Sequence, residues 1–353
     1  IREPERLTPV VGEADVIVVG SGPGGLSAAI AAARAGVSVI LIERFGCFGG
    51  NITSVGVEGF AWYRHEKTIE AGGLAFEDEQ RAIESSAAVP ESQSKSYELD
   101  SEGFKVVADN LVLKAGVRPM LHRAFCAPIL DGDEIKGVIT ESKAGREAII
   151  GKIIIDATGD ADVARRSGVK VFKNKKEDMI SASVMFHMSG VNKEEFMNEI
   201  ERDPQKYSDW SDKNWQVQTS GKEDDMFSPF LRKPFEKAKD SGLIDSDLQT
   251  ISGSWGAIHD TGELTYLNLV HLNGIDGTDP ESLTKGEIEG RKAALEAIAA
   301  LKEYMPGCSA GKLRNFGMTI GIRDTYKIDS AYNLSDEDVK NECRFEDSIG
   351  TVS

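Results

Sequence analysis

The stretch ADVIVVGSGPGGLSAAIAAARAGVSVILIERFG, residues 14–46, decides the fold. It opens with a short apolar run rich in β-branched residues (15–19), which predicts a buried strand. An Ala-rich helix is predicted after the glycines to about Arg34, and Gly36 ends it in the manner of a C-terminal cap. Residues 37–42 predict a second strand. This order of strand, turn, helix and strand indicates a βαβ unit.

We call the turn of this unit, GSGPGG at residues 20–25, the glycine loop. Gly20 permits a tight turn, Gly22 lets the backbone approach a pyrophosphate, and Gly25 lets helix and strand pack closely. Glu43, 18 residues after Gly25, is placed to accept hydrogen bonds from a ribose. A glycine-rich turn without a ligand is the alternative. Because strand, helix, second strand and acidic residue all agree, the pattern favours a dinucleotide site.

The segment after the second strand bears on which dinucleotide is bound. ERFGCFGGNITSVG, residues 43–56, puts two adjacent glycines and small polar residues where a simple nicotinamide-dependent dehydrogenase continues into its third βα unit. Gly50 and its neighbour allow a planar ligand to lie against the backbone. Asn51, Thr53 and Ser54 offer hydrogen bonds to ring or ribityl oxygens. The segment favours FAD over NAD, with an ordinary loop as the alternative.

A later apolar strand stops as abruptly as the first. Residues 121–160 predict strands at 124–130, 135–141 and 147–155. These form a β-meander whose last strand completes the parallel sheet beside the first strand. The three isoleucines of the last strand predict that both of its faces are covered.

The turn that follows this strand, Thr158-Gly159-Asp160, is then predicted to lie near the glycine loop and to close over the cofactor. A Cβ at Gly159 would meet that cofactor. We expect Asp160 to cap the next helix by accepting from the amides of Asp162 or Val163. The alternative is a capped turn far from any ligand.

Together these segments resemble the FAD-dependent oxidoreductases of the two-dinucleotide-binding-domain (glutathione-reductase-like) flavoprotein group, and within it the broad bacterial FAD-dependent oxidoreductase family. The C-terminal run TIGIRDTYKIDSAYNLSDEDVKNECRFEDSIG, residues 319–350, is similar to the family's Gly-x-Arg-[Glu/Asp] element with its LTEDDV helix and RFDDAI run. The resemblance covers nearly the whole chain. It implies a dehydrogenase, oxidase or reductase that uses FAD.

By matching residues, the resemblance implies that the glycine loop binds the FAD pyrophosphate and that Glu43 binds the adenosine ribose. The 43–56 segment would line the flavin, and residues 158–160 would lie by the pyrophosphate or the ribityl chain. The implied cofactor-binding residues are Gly20, Gly22, Pro23, Gly24, Gly25, Glu43, Arg44, Gly50, Asn51, Thr53, Thr158, Gly159 and Asp160.

The C-terminus departs from the family pattern. Family members continue past the RFEDSIG region into a glycine-rich strand-to-helix segment that holds the pyrimidine end of the flavin, whereas this sequence stops at Ser353. The alternatives are a fragment, a homo-oligomer or second chain that supplies the segment, and an incomplete flavin site. The runner-up function is a flavoprotein-like subunit whose active site a second chain completes.

The predicted fold class is α/β, with a Rossmann-like parallel sheet and β-meander that bind FAD and an inserted α+β substrate domain. We place the FAD-binding domain at residues 10–171, with a connecting segment at 60–100, and the inserted domain at 172–305. Residues 306–353 are predicted to return toward the FAD domain. We expect the inserted domain to hold a small polar or anionic organic substrate, which reacts by hydride transfer at flavin N5.

Three residues are candidate catalytic groups. Arg323, in GIRD, is placed to anchor a substrate carboxylate or an anionic flavin. An ion pair with Asp324 or with a neighbouring carboxylate is its alternative. His271 lies on a predicted strand and His65 follows the flavin segment; a packed, structural histidine is the alternative for both.

Composition narrows the class further. The 353 residues carry a formal charge of −17, which disfavours nucleic acid as a partner. The longest apolar runs fall short of the ~20 residues of a membrane span. Cys47, Cys126, Cys308 and Cys343 are widely spaced, so we expect no metal site and no disulfide framework. This spacing predicts a reducing compartment, the cytoplasm.

Overall fold

The computed structural model describes residues 1–2, 4–59, 72–90, 97–202, 230–341 and 343–347, and the backbone alone at 64–65 and 68–69. His65 lies in a short hairpin, but its side chain is outside the described atoms, so the candidate catalytic role of His65 stays a prediction. Within the described parts of the chain, no helix is both long and apolar enough to cross a bilayer.

The described residues form strands and helices along the chain. The strands are β1 Val10–Val19, β2 Val39–Ile42, β3 Arg64–His65, β4 Thr68–Ile69, β5 Ala88–Pro90, β6 Tyr97–Leu99, β7 Arg118–Met120, β8 Ala124–Asp131, β9 Glu134–Ser142, β10 Gly145–Asp156, β11 Val171–Phe172, β12 Ala182–Ser189, β13 Phe230–Leu231, β14 Ile251–Ser254, β15 Leu264–Leu272, β16 Lys312–Phe316 and β17 Lys327–Ile328. The α-helices are α1 Pro23–Arg34, α2 Gly73–Glu84, α3 Ser101–Lys114, α4 Asp162–Arg166, α5 Lys193–Arg202, α6 Lys233–Asp240, α7 Pro280–Tyr304 and α8 Asp336–Lys340. A π-helical turn, Asn51–Val55, is called the π-turn below, and a 3-10 turn covers Lys176–Asp178.

The first sheet is built around β1, in the order β7-β2-β1-β10-β9-β8. Strands β7, β2, β1 and β10 are parallel, while β8, β9 and β10 form an antiparallel meander. The apolar residues 16–19 of β1 are all buried, as expected of a central parallel strand. The predicted α/β class, with a Rossmann-like sheet and a meander, is confirmed.

Strand β10 is less completely covered than its isoleucines predict. It pairs with β9 only from Gly145 to Ile150, and from Ile153 onward its recorded partner is β1 alone. Ile153 lies beyond the end of the pairing with β9 and is 58% exposed. The expectation that both faces of this strand are buried is therefore wrong at Ile153.

A second sheet, in the order β13-β14-β15-β12-β16, packs against α7. The side chain of Asp279 caps α7 by accepting from the Glu281 amide at 3.1 Å. Glycine lets α7 approach the sheet, because a Cβ on Gly290 would lie 2.3 Å from Cγ2 of Val184. Strand β16 belongs to this sheet although it lies beyond residue 305, so the second sheet extends past the predicted boundary of the inserted domain.

The chain returns from the second sheet to the first domain through residues 317–321. A Cβ on Gly317 would stand 2.1 Å from a carbonyl oxygen of the π-turn. Thr319 donates its amide to the Ser54 carbonyl at 3.1 Å. Gly321 exchanges two backbone hydrogen bonds with Ser183 of β12, at 2.8 and 3.0 Å. This segment therefore joins the π-turn to the second sheet.

Candidate active site

The glycine loop is tight where the chain packs on itself and open on its other side. A Cβ on Gly20, whose φ is +97°, would lie 2.3 Å from the Ala157 carbonyl oxygen, and one on Gly25 would lie 2.0 Å from the Gly20 carbonyl oxygen. By contrast, a Cβ on Gly22 or Gly24 would meet no protein atom within 4 Å. The loop therefore keeps a free concave face.

This free face is the N-terminus of α1. The helix begins at Pro23, which suits the first helical position because its missing N–H needs no partner. Its N-cap, Gly22, offers no side chain, and the first turn contains no acidic residue. The first amides of the helix and its positive dipole end thus face the open side of the loop, an arrangement that binds phosphate.

Glu43 is hydrogen-bonded to the glycine loop. Its Oε2 accepts hydrogen bonds from the Ser21 amide at 3.0 Å and from Ser21 Oγ at 2.6 Å, and its Oε1 accepts from the Phe45 amide at 2.9 Å. The carboxylate that was predicted to bind a ribose is therefore hydrogen-bonded to the glycine loop, and its contact with a ribose stays a prediction. Arg44, by contrast, is exposed, with its guanidinium 4.8 Å from the Phe45 ring centroid.

The π-turn begins against the glycine loop. Gly50 has a φ of +53°, and a Cβ there would lie 2.6 Å from the Gly22 Cα. The sequence assigned this glycine to a planar ligand, whereas its contact in the structure is with the loop. Thr53 is buried, and its Oγ1 donates to the Phe48 carbonyl at 2.6 Å. Asn51 is exposed at the start of the turn.

The end of β10 lies beside the glycine loop. Val19 pairs with Asp156, and the Ala157 amide donates to the Val19 carbonyl at 2.9 Å. The predicted pairing of this strand with β1 is confirmed. Gly159 has a φ of +81°, and a Cβ there would meet no protein atom within 4 Å. Whether Gly159 contacts a cofactor stays a prediction.

The helix after this turn is capped by a different residue from the one predicted. Asp156 Oδ1 accepts from the amide and hydroxyl of Thr158 at 3.1 and 2.7 Å, and its Oδ2 accepts from the Ala164 amide at 2.9 Å. Thr158 Oγ1 in turn accepts from the Asp162 amide at 3.1 Å. Asp160 caps nothing here, so that expectation is wrong.

Asp160 instead contacts the returning C-terminal segment. Ala161, with a φ of +54°, separates Asp160 from the helix. Asp160 Oδ1 accepts from Thr325 Oγ1 at 2.9 Å. Burial raises the pKa of the Asp160 carboxyl, while this hydrogen bond and the charge of Arg44 oppose the rise. The turn after β10 thus connects the first sheet to residues near Arg323.

The structure brings Arg323 and His271 together. His271 of β15 pairs with Ser183 of β12, which pairs in turn with Gly321, two residues before Arg323. Burial and then the positive charge of Arg323 lower the pKa of His271, against a hydrogen bond to the backbone of Ser252. The two candidate residues therefore share one environment.

The predicted alternative for Arg323 is not what the structure contains. Asp324 accepts a hydrogen bond from Asn174 Nδ2 at 2.8 Å and forms its ion pair with Lys327. Among the described residues, Arg323 forms no ion pair, and its side chain is exposed. Its guanidinium is available to a ligand on this face.

A cleft of about 120 Å³ opens between the π-turn and the second sheet. We call it the inter-sheet cleft and define it by lining residues Thr53, Gly56, Met185, His187, Asn315 and Met318. Gly50, the residue before the π-turn, therefore lies against the glycine loop, and the π-turn itself borders this cleft at Thr53. Helix α3 closes another side of the cleft with its first turn.

A buried pair beside this cleft was not predicted from the sequence, which indicated His187 only as one of several histidines on or near strands and did not indicate Glu58. Glu58 Oε2 lies 2.8 Å from His187 Nε2, and both residues are buried. Glu58 Oε1 accepts from the Ser101 amide at 3.1 Å, at the start of α3. The only sequence signal is a carboxylate in the otherwise apolar run VGVEGF, which does not name a partner 129 residues away.

A family model described as FAD dependent oxidoreductase matches residues 15–353, nearly the whole chain. The chain belongs to the FAD-dependent oxidoreductase family. The cofactor of this family is FAD, as predicted. The match does not test the glutathione-reductase-like subtype, which stays a prediction.

Two curated relatives align with part of the chain. Digeranylgeranylglycerophospholipid reductase 2 of Methanopyrus kandleri is 31% identical over 192 residues, which cover 52% of this chain and 46% of that protein. Thiamine thiazole synthase of Saccharolobus islandicus is 29% identical over 171 residues, which cover 45% of this chain and 60% of that protein. The chain thus spans about half the length of the curated relatives it matches.

One solved structure illustrates the shared fold. The myxobacterial chondrochloren halogenase, a variant of FAD-dependent halogenases, superposes with a TM-score of 0.51 at 14% identity, covering 91% of this chain and 66% of that chain. At this identity the likeness concerns the fold alone. It agrees with a Rossmann-like sheet joined to a second sheet in one chain.

The FAD of this family fits the open side of the glycine loop. Gly22 and Gly24 leave space where a Cβ would stand, and the α1 amides face that space. Gly20 and Gly25 hold the loop against β10 and leave no room for a larger residue. We expect the pyrophosphate to lie on these amides, because a helix N-terminus satisfies phosphate oxygens without a charged side chain.

Proposed function

We propose that this protein is an FAD-dependent oxidoreductase that acts on a small polar or anionic organic substrate by hydride transfer at flavin N5. One observation carries the proposal. Gly50, the residue before the π-turn, lies against the glycine loop, and Thr53 of the π-turn lines the inter-sheet cleft. A dinucleotide held on the glycine loop would therefore have its reactive end within reach of the cleft in which a small molecule fits.

Each part of the site then has a physical role. The glycine loop and α1 hold the pyrophosphate, and residues 158–160 close that side. Bound FAD supplies the hydride chemistry. Arg323 presents a planar, permanently charged fork that pairs with a carboxylate through two hydrogen bonds. His271, whose pKa is lowered by burial and by Arg323, stays neutral near pH 7 and exchanges hydrogen bonds with the ligand. The proposal keeps the cytoplasm as the compartment.

The experiment is anaerobic bleaching of the bound flavin. The purified chain is reconstituted with FAD and mixed with a panel of hydroxy acids, amino acids and amines, and the loss of flavin absorbance identifies substrates. Arg323→Lys should raise the Michaelis constant for an anionic substrate about tenfold, the equivalent of about 1.4 kcal/mol, because lysine lacks the fork. FAD content should stay at the level of the unsubstituted protein.

The matched control is Arg146→Lys. Arg146 forms an exposed ion pair with Glu141 on the β9–β10 hairpin, at 3.1 Å. Its replacement by lysine should therefore leave the Michaelis constant unchanged. An Arg323→Lys constant equal to the control would remove Arg323 as the anchor. A chain that binds no FAD after reconstitution would favour the alternative, a subunit whose flavin site a second chain completes.

A further inference from the structure

Glu58 and His187 form a buried pair that connects three elements. Glu58 follows the π-turn, His187 lies on β12, and the Glu58 carboxylate also accepts the Ser101 amide of α3. Glu58 is 1% exposed and His187 is 6% exposed. Burying a carboxylate and an imidazole costs desolvation free energy, so a pair kept in such a place needs either good compensation or a use.

One ring nitrogen of His187 has a hydrogen-bond partner, and the other has none among the described residues. Nε2 of His187 faces Glu58 at 2.8 Å, while Nδ1 is buried and has no hydrogen-bond partner within the described residues. A purely structural tie needs only the first nitrogen. Leaving the second one buried without a hydrogen-bond partner is unfavourable.

The position of His187 suggests what satisfies Nδ1. His187 lines the inter-sheet cleft, and Asn315, which pairs with it across β12 and β16, lines the cleft too. Among the described residues, the charged groups that line the cleft or contact His187 are Glu58, after the π-turn, and Glu102 and Lys105 on α3, which pair with each other at 2.6 Å. Since the carboxylate of Glu58 accepts from Nε2–H, the neutral ring presents an Nδ1 lone pair.

We propose that His187, oriented by Glu58, is the proton-accepting catalytic residue for a hydroxyl- or amine-bearing substrate in the inter-sheet cleft. This inference rests on the proposed function and names the chemistry of its substrate. An O–H or N–H bond of the substrate breaks and an Nδ1–H bond forms. The resulting imidazolium is held by the Glu58 carboxylate through Nε2–H. In the reverse direction the same proton returns to the product.

The first test needs no turnover. In FAD-loaded protein, side-chain ¹⁵N NMR should show that the neutral ring of His187 carries its proton on Nε2 and none on Nδ1. Glu58→Gln should weaken the preference for this tautomer, because it replaces a charged acceptor with a neutral amide. A neutral His187 that carries its proton on Nδ1 would overturn the proposal, whatever the substrate.

The second test uses the panel of hydroxy acids and amines. His187→Gln should bleach the flavin about 100-fold more slowly at pH 7, with FAD content and melting temperature unchanged. His259→Gln is the matched control, since His259 also lies in the second domain and contacts Thr265 Oγ1 at 3.3 Å, outside the cleft lining. It should bleach at the unsubstituted rate.

The outcomes separate two failures. If no panel member bleaches the unsubstituted protein, the proposed function fails while the NMR tautomer still decides whether Nδ1 of His187 can accept a proton. If substrates bleach the flavin and His187→Gln reacts at the control rate, His187 is a structural residue and this inference is wrong. If His187→Gln does not fold, the tautomer in the unsubstituted protein decides.

Discussion

The glycine loop and the inter-sheet cleft lie at opposite ends of the π-turn, and the chain builds them in different ways. Six consecutive residues make the loop, and its shape is set by where a Cβ fits and where it does not. The cleft is lined by residues from Thr53 to Met318, which only the tertiary fold brings together. The shape of the loop is thus set by its backbone, whereas the lining of the cleft is set by side chains from distant parts of the chain.

This difference separates the consequences of substitution. A side chain added to the loop removes space that the cofactor needs, and no neighbouring group compensates. A side chain changed in the cleft alters hydrogen bonding and charge while leaving the backbone in place. We therefore expect losses of cofactor from the loop and losses of rate or affinity for substrate from the cleft.

The largest expected effect is at Gly22. Its φ is −61°, which any residue adopts, and a Cβ there meets no protein atom. Gly22→Val should fold with the melting temperature of the flavin-free protein, yet lose FAD by 100-fold or more in affinity, because the side chain occupies the open face. Flavin absorbance per chain after desalting measures this.

Gly20→Val supplies the contrast within the same loop. Its Cβ would overlap the Ala157 carbonyl at 2.3 Å, and its φ of +97° disfavours valine. We expect this variant to lose the fold as well as the flavin. A Gly22→Val protein that keeps a full complement of FAD would show that the open face is not the pyrophosphate site.

The second prediction concerns the cap at the end of β10. Asp156→Ala removes the acceptor of three hydrogen bonds and leaves the Thr158 and Ala164 amides without it, so it should lower the free energy of unfolding by about 2–3 kcal/mol. Asp160→Ala loses one hydrogen bond from Thr325 and a carboxylate whose pKa burial raises, so it should cost less. Urea unfolding of the two flavin-free variants measures these losses in the free energy of unfolding. A loss for Asp160→Ala as large as that for Asp156→Ala would contradict the assignment of the cap to Asp156.

The extent to which the sequence predicts this molecule follows the same division. The order of strand, glycine turn, helix and acidic residue is local, so the first sheet and the place of the glycine loop could be predicted. The ends of β10 and β1 could be predicted to lie close together, because the carboxyl ends of parallel strands meet at one edge of a sheet. The reason for Gly50 could not be predicted, because its neighbour Gly22 is 28 residues away in the chain.

Side-chain partners were harder to predict than backbone. Asp156 and Asp160 are both acidic and both precede α4, so the sequence does not show which of them caps it. In the structure Asp156 accepts from the Ala164 amide, whereas Asp160 accepts from Thr325. Glu58 and His187 carry no shared pattern, and an alternating strand makes a histidine look structural. Arg323 and His271 were chosen separately, and the pairing of β15, β12 and Gly321 is what puts them in one place.

The third prediction concerns the buried carboxylate of Asp78. Asp78 of α2 is 7% exposed, its Oδ1 has no hydrogen-bond partner among the described residues, and burial raises its pKa to about 7. The folded state therefore keeps a proton between about pH 4 and pH 7 that the unfolded state has lost, so stability falls as the pH rises through this window. Asp78→Asn should escape that fall.

The size of the effect follows from the pH interval. At about 1.4 kcal/mol per pH unit, Asp78→Asn should gain about 2 kcal/mol over the unsubstituted protein between pH 5.5 and pH 8. Denaturant unfolding at the two pH values measures it. Asp131→Asn, at the exposed end of β8, is the control and should show no pH-dependent gain. An equal response of both variants would mean that Asp78 ionises normally in the fold.

The smallest expected effect tests whether the loop depends on any side chain. Glu43 accepts from Ser21 on one oxygen and from the Phe45 amide on the other, so Glu43→Gln keeps one acceptor and turns an NH₂ toward a donor. Because the glycines and α1 still hold the pyrophosphate, we expect FAD affinity to fall only about tenfold, or about 1.4 kcal/mol. Glu77→Gln, which loses an exposed ion pair with Arg34 at 2.7 Å, is the control and should bind FAD normally. Flavin titration followed by fluorescence compares the three proteins. A loss at Glu43 as large as that of Gly22→Val would mean that this carboxylate, and not the backbone alone, shapes the loop.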